Sequence, residues 1–402
     1  MLRPRIQTGA NLFQLIKAIC REAEEEGKQL FRLSIGQPTG PAFLSARVKA
    51  AELIMSDEEK WHEYQDNGCV IPNFAQRFVQ AHVPTTRFDQ FGERLAYLPI
   101  PGIKSMLEIV IMACLHGLPP MEKPLRVYTT TKPGYPTPAD QCRYLEDNGA
   151  QVRHQALETN PGNQFRFDPE DLNVIGSSLV MTNYPSNPTG QVASREYWKA
   201  LCAYCELYGL RLFNDAAYAA LPHTNEHCTL AAVAVDYPNL SWIEAYSGSK
   251  IGNFTGWRVG AMVGSADFIA DVANVKGNSD SGFNAALAGG ILHVLEHDRE
   301  SLDATRRLYT GRTELLTNVL QEYGLELAVQ PQAGFFTLWQ CPKRAFGQVI
   351  ENSEEFNRLM IMKTGIVGVH FNPYMRYAVC GDVEAMIGPI TEGFKEANVS
   401  YK

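Results

Sequence analysis

One lysine lies among small hydroxyl and glycine residues in the stretch 245–260, AYSGSKIGNFTGWRVG. Lys250 follows Ser247 by three residues, and Arg258 comes eight residues later. A lysine in such a polar, glycine-rich segment is poorly suited to a core and well suited to contact a ligand. A lysine amine can attack a carbonyl group, and an arginine can bind a phosphate through paired hydrogen bonds. The stretch therefore predicts a nucleophilic lysine beside an anion site.

Other polar residues follow predicted strands. Asp215 ends the strand 211–215 and Tyr218 comes just after it, while Asn187 follows the strand 178–183. Tyr135 lies in a proline-flanked loop after the strand 125–130. Open α/β sheets bind ligands beyond the carboxyl ends of their strands. Each residue alone also fits a plain structural role, such as a helix cap for Asp215.

Backbone groups supply further candidates. The run Gly102-Ile103-Lys104 opens a predicted helix over 106–118, and the amides at a helix N-terminus attract anions. Ile103 has no hydroxyl, so only its amide could contribute. Gly36 ends a strand-like run and allows a ligand to approach the backbone, or simply forms a turn. Tyr64, in the polar loop 62–68, fits either a surface residue or a phosphate ligand.

Together these residues offer one partner for each polar group of a pyridoxal-type cofactor. Its aldehyde requires an amine, which Lys250 supplies, and its ring nitrogen requires a carboxylate, which Asp215 supplies. The remaining partners are Asn187 and Tyr218 for the phenolic oxygen, Tyr135 for a ring face, and Ser247, Arg258 and the amides of Gly102, Ile103 and Lys104 for the phosphate.

The elements that must position these residues alternate between strand and helix from about 95 to 290. Such alternation predicts an α/β fold with a mainly parallel sheet. The last third is helical over 285–323 and then has short strands at 325–329, 334–339 and 376–379. We predict an N-terminal segment, 1–45, with a helix over 10–28, that joins a small α+β domain, 291–402. The large cofactor-binding domain spans 46–290.

The composition excludes several classes of protein. The 402 residues carry a net charge of −8 without a basic tract, which disfavours nucleic acid as a partner. No apolar run predicts a membrane span, and the N-terminus lacks the pattern of a signal peptide. Nine scattered cysteines favour reduced thiols in the cytoplasm. Cys202 and Cys205 share one helical face, which favours packing, and no residue spacing predicts a metal site.

The motifs resemble those of the fold-type I pyridoxal-phosphate-dependent aminotransferases, class I/II, in the aspartate and aromatic aminotransferase superfamily. The resemblance covers nearly the whole chain and implies a mainly parallel, seven-stranded-type sheet with a small domain built from both termini. The motifs that carry it are Asn187-Pro-Thr-Gly190, Asp215-Ala-Ala-Tyr218, Ser247-Gly-Ser-Lys250 with Arg258-Val-Gly260, Pro133-Gly-Tyr-Pro136 and Gly102-Ile-Lys104.

The resemblance implies roles for these residues. Lys250 would form the internal aldimine and move protons, Asp215 would hold the protonated ring nitrogen, and Tyr218 and Asn187 would bind the phenolic oxygen. Tyr64 would reach the phosphate of the other subunit, which implies a homodimer with sites at its interface. Gly36 and Arg376 would bind the α-carboxylate of the substrate. The segment 369–376 is shorter than is usual and lacks a proline–glycine turn, so the substrate pocket is expected to differ.

The implied reaction is transamination from an L-amino acid to a 2-oxo acid. A β-lyase, a cyclopropane-forming synthase or an oxidase on the same fold would keep the same cofactor residues. A transcription regulator would need a DNA-binding module ahead of residue 10, and a structural protein has no use for Lys250 in this setting. Lys276 fits either a ligand for a distal carboxylate or a surface lysine. The segment 250–258 is also similar to that of LL-diaminopimelate aminotransferases.

Overall fold

A computed structural model describes residues 12–86, 88–173 and 176–402. No helix in these ranges is long and apolar enough to cross a membrane. The strands are β1 (Phe31–Arg32), β2 (Leu95–Ile100), β3 (Leu125–Lys132), β4 (Val152–Glu158), β5 (Ser178–Thr182), β6 (Arg211–Asp215), β7 (Trp242–Ser247), β8 (Gly260–Ser265), β9 (Leu327–Val329), β10 (Phe336–Gln340), β11 (Arg344–Ala345), β12 (Gln348–Val349), β13 (Ile366–Val367), β14 (Val369–Phe371) and β15 (Tyr374–Ala378). The α-helices are α1 (Leu12–Glu25), α2 (Leu44–Ile54), α3 (Phe74–His82), α4 (Ile103–His116), α5 (Thr137–Asp147), α6 (Arg195–Tyr208), α7 (Ala231–Ala234), α8 (Ala266–Lys276), α9 (Ala285–His297), α10 (Arg299–Glu322), α11 (Ser353–Thr364) and α12 (Val383–Ala397).

A seven-stranded sheet forms the larger of two compact units, which comprises residues 37–311 and 329–335. Its strand order is β2-β8-β7-β6-β5-β3-β4. The pairs from β7 to β4 are parallel, whereas β8 pairs antiparallel with both β7 and β2. Six strands therefore run in one direction and β8 runs in the other. The predicted α/β fold with a mainly parallel sheet is confirmed.

Both faces of this sheet are covered by helices. Successive side chains of a strand point to opposite faces, and in β6 Leu212 packs in one apolar cluster while Phe213 packs in the other. The first cluster includes α3, α6 and α9, and the second includes α4 and α8. Cys202 and Cys205 are free thiols buried in the first cluster, so they pack in the core as predicted.

The smaller unit comprises residues 12–36, 312–328 and 336–402 within the described chain. It contains a four-stranded sheet in the order β14-β15-β10-β9 and a parallel pair of β1 with β13. Ile16, Ile19 and Ala23 of α1 pack with Ile361 of α11 and Val367 of β13. The N-terminal helix thus shares a core with C-terminal elements. The domain boundaries at 45/46 and 290/291 remain a prediction.

Several element boundaries differ from the prediction. The helix expected over 285–323 is two helices that meet at Asp298, whose side chain accepts a hydrogen bond from Ser301 N. The start of β8 at Gly260 follows a short 3₁₀ turn at residues 255–257. The predicted helix over 10–28 is observed at 12–25, and residues 10 and 11 lie outside the described chain.

Candidate active site

The predicted site residues of the larger unit gather at one edge of the sheet. The segments that carry Tyr135, Asn187, Asp215 and Lys250 follow β3, β5, β6 and β7, whose carboxyl ends lie at the same edge because these strands are parallel. β8 runs the opposite way, so the segment before it, which contains Arg258, reaches the same edge. The reversed direction of β8 thus places the cationic Arg258 at this carboxyl edge.

Asp215 is a buried carboxylate at the end of β6. Its Oδ1 accepts a hydrogen bond of 3.0 Å from the Ala217 amide. Burial raises the pKa of Asp215 to about 6, while the Ala217 amide and the Lys250 ammonium partly oppose the rise. A buried carboxylate of this kind gains from a cationic partner.

Lys250 ends a short 3₁₀ turn directly after β7. Its Nζ lies 6.0 Å from the centre of the Tyr218 ring and 5.9 Å from that of Phe335. The two rings meet edge to face at 5.3 Å between centroids. Ser247 is buried, and its Oγ accepts a hydrogen bond from Ser249 N at 3.1 Å. The amine therefore lies beside two aromatic rings. Nothing in the sequence distinguished Phe335 from an ordinary core residue.

Asn183 forms hydrogen bonds to two of the predicted residues, Asp215 and Asn187, and was not itself predicted. Its Nδ2 donates to the Asp215 carbonyl at 2.8 Å, and its Oδ1 accepts from Asn187 N at 2.9 Å. The side chain of Asn187 is buried beside this link. Asn183 directly follows β5, so its position at a strand end was the signal that could have found it.

An anion cradle forms where α4 begins. Gly102 caps the helix with a φ of 87°, a conformation that favours glycine. A methyl group at Gly102 would collide with the Arg258 guanidinium, so the two lie in contact. Arg258 itself has a φ of 54° and donates through Nη1 to the Thr255 carbonyl at 3.0 Å. Ile103 is buried and Lys104 is exposed, so these two offer amides rather than side chains to the cradle.

Tyr135 and Asp215 line one pocket, together with residues 129–131 and 181–183. Burial raises the pKa of Tyr135, and the nearby Asp215 carboxylate adds to the rise while Arg258 opposes it. Tyr135 is thus within electrostatic reach of both the buried carboxylate and the cradle arginine. A flat ring beside Asp215 would meet the Tyr135 side chain.

Tyr64 and Lys276 occupy contrasting environments in the larger unit. Tyr64 is 83% exposed, in a loop of irregular structure as predicted. Lys276 is fully buried, so the alternative of a surface lysine is wrong. Its Nζ binds Asp280 Oδ1 at 2.8 Å and donates to the Asp66 carbonyl at 2.7 Å. The i, i+4 spacing of Lys276 and Asp280 predicts their contact. Nothing in the sequence near Lys276 predicts its contact with Asp66.

Gly36 and Arg376 lie together in the smaller unit. Arg376 is buried in β15; its Nη2 donates to the Ser34 carbonyl at 2.8 Å and its Cζ lies 4.3 Å from the centre of the Phe336 ring. A methyl group at Gly36 would lie 3.0 Å from Phe336 Cζ. The short segment before Arg376 is a hairpin of β14 and β15 that turns at residues 372–373. Phe336 therefore positions both residues.

Comparison with known proteins identifies the family. Residues 28–378 match the sequence profile of the family described as aminotransferase class I and II. The chain is 32% identical over 387 residues to an LL-diaminopimelate aminotransferase of Natranaerobius thermophilus, with 92% of each chain covered. It is 33% identical over 391 residues to one of Syntrophobacter fumaroxidans, covering 93% of this chain and 92% of the relative.

Solved structures share the fold. BacF from Bacillus subtilis, in its apo form, superposes with a TM-score of 0.81 at 20% identity, covering 99% of this chain and 98% of that one. An aspartate aminotransferase double mutant from Thermus thermophilus gives a TM-score of 0.79 at 19% identity, with 97% of each chain covered. The chain belongs to the class I and II aminotransferases, a family of pyridoxal-phosphate-dependent enzymes of fold type I. Its activity is a pyridoxal-phosphate-dependent transamination.

Proposed function

We propose that the carboxyl edge described above binds pyridoxal 5′-phosphate and transfers the amino group of an L-amino acid to a 2-oxo acid at Lys250. The observation that carries this proposal is the buried Asp215 carboxylate on the same edge as the Lys250 amine and the Gly102–Arg258 cradle. When bound, the cofactor supplies an aldehyde that takes up amino groups and a ring that withdraws electrons.

The residues present fit this cofactor. The carboxylate of Asp215 would hold a protonated ring nitrogen, and this cation would offset the cost of burying the carboxylate. Tyr135 would cover one face of the ring, while Tyr218 and Asn187 would bind its phenolic oxygen. The phosphate would take the remaining donors: Arg258, Ser247 and the amides of Gly102, Ile103 and Lys104.

Lys250 would hold the cofactor and carry protons. Its amine lies near two aromatic rings, Tyr218 and Phe335, that restrict where Nζ can move. General acid–base work requires an amine that loses and regains a proton near neutral pH. The location of Lys250 after β7, on the same edge as Asp215, suits this task. Gly36 and Arg376 would bind the substrate α-carboxylate, with Arg376 paired through its guanidinium.

The protein would act as a homodimer in which Tyr64 of each subunit binds the phosphate in the other. Tyr64 is a large side chain left 83% exposed. A row of exposed apolar residues also runs along α2 and the residue after it, at helical spacing. Leu44 is 64% exposed, Val48 60% and Met55 82%. A second copy of the chain is the occupant we propose for this row, because the same copy would take up Tyr64. Light scattering would measure the mass, and a monomer would contradict the proposal.

The site would work in the cytoplasm on free amino acids. All nine cysteines are free thiols, as is usual in a reducing compartment. Among donors, LL-diaminopimelate is the first to test, because relatives that share 32% and 33% of their residues with this chain carry that name.

An amino-donor screen tests the proposed reaction. Each amino acid is mixed with the holoenzyme, loss of the visible absorbance of the bound cofactor is followed, and products are identified. Formation of the matching 2-oxo acid, with recovery of the absorbance on adding a second 2-oxo acid, is the expected result. Release of ammonia without need of an amino acceptor would indicate a lyase instead. If the wild-type protein acquires no absorbance with pyridoxal phosphate, the proposal fails altogether.

A further inference from the structure

A lysine that the proposed reaction does not use is fully buried at the end of α8. Lys276 Nζ binds Asp280 Oδ1 at 2.8 Å and the Asp66 carbonyl at 2.7 Å. Asp280 Oδ1 also accepts a hydrogen bond from Gly282 N at 2.7 Å. Burying an ammonium is unfavourable unless close oxygens compensate. Here the compensating oxygens come from two segments that are distant in sequence, so the charge links them.

One of these segments is the Tyr64 loop, residues 62–68. The amides of Gln65 and Asp66 both donate to the Ser281 carbonyl, at 3.3 and 3.2 Å. Asn67 Nδ2 donates to the Ala273 carbonyl at 2.7 Å. These bonds fix the inner side of the loop against residues 273–282, while Tyr64 is exposed on its outer side.

Steric constraints restrict how the Tyr64 loop packs against residues 273–282. Asp66 has a φ of 41°, which few side chains other than Asn and Asp adopt readily. Gly282 has a φ of 91°, and a methyl group there would lie 2.7 Å from Asp66 N. The two backbones lie so close together that a residue larger than glycine would not fit at position 282. The ammonium of Lys276 is therefore part of a closely packed contact between the two segments.

We propose that Lys276 and Asp280 are positioning residues that hold the Tyr64 loop so that Tyr64 reaches the cofactor phosphate of a second subunit. This inference rests on the proposed homodimer. A loop fixed before binding loses less conformational freedom when Tyr64 meets the phosphate, which strengthens binding. Lys276 is not a ligand for a substrate carboxylate, because its buried ammonium is engaged by Asp66 and Asp280.

Cofactor affinity of the apoprotein measures this role. Lys276→Met keeps the length of the side chain but removes the charge, and we expect the dissociation constant for pyridoxal phosphate to rise about tenfold. Asp280→Asn is the second variant, in case the first does not fold. Lys395→Met is the matched control, since Lys395 pairs with Glu392 on an exposed helix surface at 3.9 Å. An unchanged dissociation constant in folded, dimeric Lys276→Met would overturn the inference.

A double-mutant cycle with Tyr64→Phe separates positioning from general stability. If Lys276 acts through the Tyr64 hydroxyl, its substitution should change cofactor affinity little once that hydroxyl is gone. A loss of the same size in both backgrounds would instead mean that Lys276 only stabilises the fold, and the inference would fail.

Mixed dimers provide the sharpest test. Lys276→Met subunits are combined with Lys250→Ala subunits, and binding to the intact Lys250 is followed by visible absorbance. In the mixed dimer that Lys250 faces the Tyr64 loop of the Lys250→Ala subunit, in which Lys276 is intact. Wild-type cofactor affinity at this site is expected. Weak binding at this site would contradict the inference. The proposed function would still stand if the wild type is dimeric and binds the cofactor normally.

Discussion

Asp215 and Glu244 are carboxylates buried on neighbouring strands, β6 and β7, and their surroundings differ in the number of donors. Glu244 accepts four hydrogen bonds within the described chain: from Asn214 Nδ2, Tyr246 OH and the amides of Leu230 and Ala231, at 2.5–3.0 Å. The Asp215 carboxylate accepts one there, from the Ala217 amide. The protein itself supplies four donors to one carboxylate and a single donor to the other within the described chain.

The two carboxyls also differ in which groups oppose the rise of their pKa. Burial raises the pKa of both carboxyls, and for Glu244 the Tyr246 hydroxyl and the Ala231 amide oppose the rise most strongly. For Asp215 the pKa reaches about 6. An acid left with few donors is costly to ionise until a cation arrives. The buried carboxylate with few donors is therefore the one we propose for the cofactor, and the well-bonded carboxylate holds the fold.

Asp215→Asn should give the largest effect on activity. The amide cannot pair as a charge with the protonated ring nitrogen, so turnover should fall by about 10²–10³-fold. The apoprotein should not lose stability, because the substitution removes a buried charge. Rapid mixing of the holoenzyme with an amino donor measures turnover, and urea unfolding of the apoprotein measures stability. Near wild-type turnover would show that Asp215 does not face the ring nitrogen.

Glu244→Gln should give the opposite pattern. Replacing one carboxylate oxygen by an amide NH₂ group leaves buried donors without an acceptor, and the free energy of unfolding should fall by about 1–3 kcal/mol. Turnover of the folded holoenzyme should fall much less than in Asp215→Asn. Glu158→Gln serves as the control, because the Glu158 side chain is 81% exposed. A turnover loss as large as that of Asp215→Asn would remove the distinction between the two carboxylates.

The pH dependence of apoprotein stability should give the smallest effect. The folded-state pKa of Asp215, about 6, lies above its ordinary value of 3.8, so protonation of this group favours folding. This stabilisation is present at low pH and is lost as the pH rises through about 6. Between pH 5 and 8 the wild type should lose about 1 kcal/mol of unfolding free energy relative to Asp215→Asn. Urea titrations at both pH values provide the measurement, and parallel curves would contradict the raised pKa.

The strand ends made most of the site predictable from the sequence. Asp215, Lys250 and Asn187 each follow an apolar run that is buried in the sheet, and buried parallel strands give a strong pattern. The two edge strands, β2 and β4, gave no such pattern. β2 contains Pro99, which an edge strand tolerates, and β4 has three consecutive polar residues, 153–155, in place of an apolar run.

Long-range contacts explain what the sequence could not predict. Glu244 lies in the run WIEAYS, where a charge signals an unusual strand, but its donors at 230 and 231 have no local signature. The contact of Lys276 with Asp66 spans 210 residues. Such pairs depend on which distant segments the fold brings together, and residue spacing does not encode that.

Attachment of the cofactor to one particular lysine is the most direct test of the proposed site. The holoenzyme is treated with borohydride, which fixes pyridoxal phosphate to the amine that holds it, and the protein is digested and analysed by mass spectrometry. The predicted result is the added mass on the peptide that contains Lys250, and its loss in Lys250→Ala. An unmodified Lys250, or the mass on another lysine such as Lys104, would contradict the proposed site.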